Sequence, residues 1–183
     1  MPFLDHAIRA NPDYLTAYLA RAEARRQTNQ IAMSMEDCTQ ALRINSQDAR
    51  PHFCRGLGEG LLKHYDLALR DYGDAIRLNP DFAVAYDSRA SAYNNLQQYD
   101  HAIEDYSQAI RLRPNNGQFY LRRAAVYEKL MQYEKAIRDY DQVIRLQPGN
   151  ARGYTGRANA KKQSGDGRGA AQDRRMAHDL KEQ

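Results

Sequence analysis

Five histidines (His6, His52, His64, His101 and His178), two cysteines (Cys38 and Cys54) and a Gly-Asp-Gly-Arg-Gly stretch at 165–169 are the residues suited to metal binding, nucleophilic attack or phosphate binding. Their spacing suits none of these. The histidines share no interval, and His52 and Cys54, two apart, face different sides of a helix, so they make no ligand pair. The glycines lack the Lys-Ser/Thr that completes a phosphate loop and follow no strand. No Ser or Cys nucleophile comes with a recognisable base. The sequence points to a protein that is not an enzyme and holds no metal and no cofactor. The cysteines do not read as a disulfide framework. Reduced, structural thiols are expected, which favours a cytoplasmic location.

Charge at fixed spacing is the stronger pattern. Arg21, Arg55, Arg89, Arg123 and Arg157 lie 34 apart, and so do Asp37, Asp71, Asp105, Asp139 and Asp173. Arg89 and Asp105 are each eight residues from Gln97. Two antiparallel helices folding back there would set both about 12 Å from the turn, at about 1.5 Å per residue. An Arg–Asp contact is therefore expected in each copy, bidentate because the guanidinium fork matches a carboxylate. A further series, Arg9, Arg43, Arg77, Arg111 and Arg145, places a cation near the negative end of a helix dipole.

The elements that must position these charges come from the same period. DYSQAIRLRP at 105–114 returns as DYGDAIRLNP at 71–80 and DYDQVIRLQP at 139–148, with degraded copies at 3–12, 37–46 and 173–182. A fixed period of this length signals stacked supersecondary pieces rather than one globular core. Five repeats run 13–46, 47–80, 81–114, 115–148 and 149–182, after half a repeat at 1–12. In the third, Tyr86, Ala90, Tyr93 and Leu96 form one apolar helical stripe, and Tyr99, Ala102, Tyr106, Ala109 and Ile110 form another. The turn falls near residue 97, and Pro114 stops the second helix because it has no N–H to donate. Strand signals are absent, so the fold class is all-α. Small residues recur where the two helices would cross, at Ala90 and Ala102 and their counterparts. The fifth repeat, with three glycines in its turn and a polar last helix, reads as a C-terminal cap.

This pattern resembles the tetratricopeptide repeat family. Tyr86, Ala90, Tyr93, Ala102, Tyr106, Ala109 and Pro114 carry the likeness in the third repeat, and it covers essentially the whole chain. It is best from 47 to 148 and thinner in the first repeat, where Ser34, Cys38 and Ser46 replace the expected Ala, aromatic and Pro. Arg89 stands where the family usually has Leu. The style is closest to bacterial members. The resemblance implies a right-handed superhelical α-solenoid, a single array over 1–183, whose first-helix surfaces line a concave peptide-binding groove. In that frame the groove residues are Arg50, Phe53, Leu57, Val84, Asp87, Asn94, Gln118, Leu121, Arg122, Arg152 and Asn159. Thr16, Leu19, Glu23, Cys54, Ala125 and Thr155 are further positions on the same faces. Phe53, Leu57, Val84 and Leu121 would be exposed apolar anchors, while Arg50, Arg122 and Arg152 would hold a carboxylate. Neither the basic-and-asparagine clamp of chaperone-tail-binding members nor the asparagine ladder of the glycosyltransferase-type superhelix is present.

Composition narrows the partners. Twenty-seven basic against twenty-three acidic residues give a net charge of +4, but the signs alternate along nearly every segment. No run of like charge tracks a phosphate backbone, so nucleic acid is not the expected partner, and an RNA-binding helical repeat ranks third. No apolar run is long enough to span a membrane, and MPFLDHAIRA lacks the basic start and apolar centre of a signal peptide. The first reading is a scaffold for a protein or peptide. The alternative is an assembly module, self-associating through the N-terminal half repeat, or a fragment of a longer array.

Overall fold

The chain reverses direction at one backbone conformation, repeated at the period of the sequence. In a computed structural model that describes residues 2–182, Asn29, Lys63, Gln97 and Met131 have φ between 55° and 62°, and Gly165 has φ 96°. Each is the left-handed residue closing a first helix. Around it, for example, Gln30 N–H bonds Arg25 C=O and Asn29 N–H bonds Arg26 C=O. The same pair of bonds recurs at Lys63–His64, Met131–Gln132 and Gly165–Asp166, consuming carbonyls the helix end leaves open. Met1, the first residue of the expected half repeat, and Gln183 lie outside the described residues.

Helices α1 (Pro2–Ala10), α2 (Leu15–Gln27), α3 (Ile31–Ile44), α4 (Ala49–Leu61), α5 (Tyr65–Leu78) and α6 (Ala83–Asn95) belong to a compact first lobe, Met1–Leu96. Helices α7 (Tyr99–Leu112), α8 (Gly117–Lys129), α9 (Tyr133–Leu146), α10 (Ala151–Gln163) and α11 (Gly167–Asp179) belong to a second, Gln97–Gln183. Within each lobe every helix packs on its neighbour in the chain. In addition α2 touches α4, α4 touches α6, and α8 touches α10, so successive first helices stand side by side. The second helices end at Leu78, Leu112 and Leu146, two residues short of Pro80, Pro114 and Pro148. Asp48, Asn116, Asn150 and Asp166 cap first turns by accepting backbone N–H bonds. Among the described residues there are no strands, and no helix is long and apolar enough to cross a membrane. The fold is an all-α helical repeat.

The core is a line of small contacts. Ala22, Ala90, Ala124 and Ala158 on first helices, and Ala68, Ala102 and Ala136 on second helices, are wholly buried, which lets the helices approach to ridge-into-groove distance. Ser34 takes the Ala place in α3, and its buried Oγ donates to Ala22 C=O at 2.7 Å, so the substitution leaves no orphan polar atom.

Alongside runs the charge ladder. Arg21 with Asp37, Arg55 with Asp71, Arg123 with Asp139 and Arg157 with Asp173 each meet through two parallel bonds of 2.6–3.0 Å. The remaining expected pair, Arg89 with Asp105, has one member in each lobe. The rungs also reach the preceding repeat. The third nitrogen of Arg21 donates to Asp5, that of Arg123 to Ser107, and that of Arg157 to Asp141, each sixteen residues back. The guanidiniums of Arg21, Arg123 and Arg157 also lie 5.7–6.0 Å from the rings of Tyr18, Tyr120 and Tyr154. Arg fits where Leu would pack because its fork takes the carboxylate while its plane covers a ring.

One expectation is overturned. Cys38 and Cys54 are not reduced thiols but a disulfide between α3 and α4, with Cα atoms 5.8 Å apart. Their different places in the repeat hid them, because a second-helix position abuts a different position on the next first helix.

Candidate functional site

Each lobe contains a cavity on its first-helix face. The first-lobe cavity, about 370 Å³, is walled by Leu19 of α2, Phe53, Cys54 and Leu57 of α4, and Phe82 ahead of α6. Phe53 is held in place by aromatic neighbours: its ring centroid lies 4.9 Å from Phe82 and 5.8 Å from Tyr72. Leu57 packs on the cluster of Ala68, Tyr72 and Ala92. The charged residues at the rim are neutralised in pairs. Arg26 donates to both oxygens of Glu23, and this holds the Glu23 carboxyl below its usual range. Arg50 is clasped by Asp48, whose carboxyl is lowered by the same bonds. A guest carboxylate would have to displace Asp48 to use Arg50.

The second-lobe cavity, about 410 Å³, has different chemistry. Leu121 and Arg122 of α8, Arg152 and Asn159 of α10, Tyr140 of α9 and Lys181 surround it. Its one carboxylate, Glu128, accepts the Tyr140 hydroxyl at 2.6 Å. Burial pushes the Tyr140 phenol well above its ordinary range, and the bond to Glu128 pushes it the same way, so it stays a donor. Arg122, Arg152 and Lys181 thus share the wall with a single carboxylate, which the Tyr140 hydroxyl already engages, so basic side chains predominate among the charged lining residues.

The expected groove residues divide between these places. Arg50, Phe53 and Leu57 line the first cavity, together with Thr16, Leu19, Glu23 and Cys54. Leu121, Arg122, Arg152 and Asn159 line the second, together with Ala125 and Thr155. Val84, Asp87, Asn94 and Gln118 line neither. The expected exposure of the apolar anchors fails most clearly at Leu121, which is only 8% exposed and packed among Ala124, Tyr140 and Val143. Asp87, expected on the groove face, is also buried at 8%. Phe53, Leu57 and Val84 are half-buried rather than open. Arg26, Phe82, Tyr140 and Lys181 were not expected. Arg26 sits on a first helix three residues past Glu23, so its position carried a signal. Phe82 and Lys181 lie just outside helices, and Tyr140 reaches in from a second helix.

His52, Asp71 and Asp74 bring ligand-type atoms within 4.8 Å of one another. His52 Nε2 lies 3.0 Å from Ser46 C=O, and its buried Nδ1 is 3.9 Å from Asp74. Asp71 already receives both bonds from Arg55. The group is therefore an extension of the ladder, its carboxylate committed to a cation.

Profiles described as tetratricopeptide repeat match residues 15–48 and 118–150, and one described as TPR repeat matches 90–130. Among solved structures, a crystal structure of MamA superposes with TM-score 0.82 at 20% identity, covering 92% of each chain. MamA from Desulfovibrio magneticus RS-1 gives 0.83 at 16%, over 92% of this chain and 95% of that one. YrrB, described as a TPR protein with an unusual peptide-binding site, gives 0.78 at 16%, over 97% and 91%. At these identities the likeness is one of fold. No curated protein matches the chain.

Proposed function

Because this chain belongs to the tetratricopeptide repeat family, we propose that it is a non-catalytic scaffold that binds a protein segment on its first-helix faces. The observation that carries the reading is the first-lobe cavity. Leu19 comes from one first helix and Phe53 and Leu57 from the next, so the wall exists only because repeats stack, and a folded side chain of the scaffold does not fill it. YrrB, similar in fold, is described as having a peptide-binding site. The two cavities suggest a guest with an apolar anchor for the first lobe and an acidic residue for the second. The expected cytoplasmic location loses the support of reduced thiols, since disulfides persist chiefly in oxidising compartments.

Selection of peptides from a random display library on the wild-type protein tests this. Enriched peptides should carry apolar and acidic residues. Leu19→Asn should weaken the apolar-anchored class and Arg152→Glu the acidic class, with thermal unfolding of both variants near wild type. Peptides that bind all three proteins alike would reject the assignment.

A second reading rests on α1, which has no buried residue and leaves Phe3 80% exposed. A second copy of the chain could cover it. Sedimentation of wild type beside Phe3→Glu decides: a dimer lost in the variant supports self-association, and a monomer in both removes it.

A further inference from the structure

The joint between α3 and α4 differs in kind from those that follow. Where α3 has Cys38, later second helices have Tyr72, Tyr106 and Tyr140. Tyr72 is buried and bonds Ser88 on the next first helix, and a side chain built at Gly156 would strike the Tyr140 ring. Cys54 occupies the position of Ser88 and Gly156. One joint thus replaces a tyrosine wedge with a much smaller residue and a covalent bond.

The helix held by that bond is poorly suited to hold itself. Gly56, Gly58 and Gly60 all fall in α4, and glycine is the weakest ordinary helix former. The two sulfurs also differ in access. Cys38 is wholly buried, whereas Cys54 is partly exposed and forms part of the first-lobe cavity wall.

We propose that the Cys38–Cys54 bridge is a thiol-exchange site, entered at Cys54 through the first-lobe cavity, and that opening it releases α4. A small thiolate attacks Cys54 Sγ and forms a new S–S bond there. The Cys38–Cys54 bond breaks, and its electron pair leaves on Cys38 Sγ, which takes up a proton. A second thiolate attacks the added sulfur, frees Cys54 and departs as the oxidised small-molecule disulfide. The protein gains two electrons and the two small thiols lose them. Burial of Cys38 makes it a slow leaving group, so exchange runs below the rate of an unfolded reference. Once the bond opens, a thiol remains where a tyrosine is needed, and the glycine-rich helix loses its tether. Phe53 and Leu57 ride on α4, so the cavity changes with it. The exchange itself requires no peptide guest.

The test uses the full chain, air-oxidised, with reduced glutathione as the probe. Alkylation and peptide mapping should find the mixed disulfide on Cys54 and none on Cys38. After full reduction by dithiothreitol, amide exchange over 49–61 should accelerate roughly ten- to a hundredfold, as expected for losing a crosslink of this loop length, while 117–129 is unchanged. Cys38→Ser/Cys54→Ser should match the reduced wild type in either buffer. Should that variant not fold, the wild-type comparison still decides. Gly60→Ala, whose added carbon meets only the Tyr72 hydroxyl at 3.2 Å, should reduce the acceleration by restoring helix propensity. Two titratable thiols in the air-oxidised protein, an adduct on Cys38, or α4 exchange indifferent to reduction would each overturn the proposal.

Discussion

The two lobes solve one packing problem twice. In the first, Cys38 and Cys54 bond where α3 meets α4; in the second, the Tyr140 ring lies over Gly156 where α9 meets α10. The covalent solution leaves an apolar cavity with its rim charges paired off. The wedge solution brings a tyrosine hydroxyl into the cavity, where it engages Glu128 in a lining richer in basic than in acidic side chains. The lesson is that repeat geometry is indifferent to how a joint is filled, while the chemistry of the face depends on it.

The largest expected effect comes from breaking a rung in each lobe. Removing Arg123 strands Asp139, whose side chain is 7% exposed, and should cost about 3–5 kcal/mol. The Arg55 side chain is more open, at 35%, so its contact with Asp71 is less desolvated. Arg55→Ala should therefore cost less, roughly 1–3 kcal/mol. Chemical denaturation of the two variants measures the difference. Equal losses would mean that water reaches both rungs alike, and the lobes would not differ here.

Next in size is the wedge itself. A carbon added at Gly156 falls 2.3 Å from Tyr140 Cζ, so the ring must swing and leave Glu128. Gly156→Ala should lose about 1–3 kcal/mol by overpacking. Tyr140→Phe/Gly156→Ala should show whether the hydroxyl bond or the ring contact dominates: a double variant no worse than Gly156→Ala means the bond was already broken.

Much of this was legible in the chain. Pro80, Pro114 and Pro148 marked helix ends, the symmetric distance of Arg89 and Asp105 from Gln97 gave the turn, and recurring alanines gave the crossings. Each is a local effect of sterics or propensity repeated from one repeat to the next, so the period amplified it. The disulfide and the cavity chemistry were not legible, because they depend on which residue of one repeat faces which residue of the next. A signal existed: Cys38 and Cys54 are sixteen apart, the same interval by which Arg21 and Arg157 reach back to Asp5 and Asp141. Leu121 was misjudged for a related reason. A residue on a groove-facing stripe can still be covered by the second helix packed beside it.

Acid should separate ladder from rim. Burial pushes the Asp173 carboxyl up, but bonds from Arg157 and Lys161 outweigh it and hold the group below its ordinary range. A carboxyl whose folded pKa is depressed contributes its full stability above the unfolded value of about 3.9 and loses it as pH falls through the folded value. Unfolding free energy should therefore fall as pH drops below about 3.9 and the folded Asp173 carboxyl takes up its proton. Lys161→Met should shift the Asp173 carboxylate titration, followed by carbon NMR, toward the ordinary value. The Glu23–Arg26 pair at the first-lobe rim is lowered in the same direction but half open, so Arg26→Ala should move stability by less.

The smallest effect concerns the turns. All five take a left-handed residue, but only the last is glycine. Met131 in the second lobe is 72% exposed and has no short polar side chain to favour this conformation. Asn29, at the same place in the first lobe, tolerates this conformation through its short polar side chain. Met131→Gly relieves steric cost of about 1–2 kcal/mol and gives back part of it as unfolded-chain entropy, for a net gain of roughly 0.5–1 kcal/mol. Asn29→Gly should change stability by only a few tenths of that scale. Denaturation midpoints of the two variants measured side by side check the ranking. A larger gain at Asn29 would show that the first-lobe turn, and not the second, carries the strain.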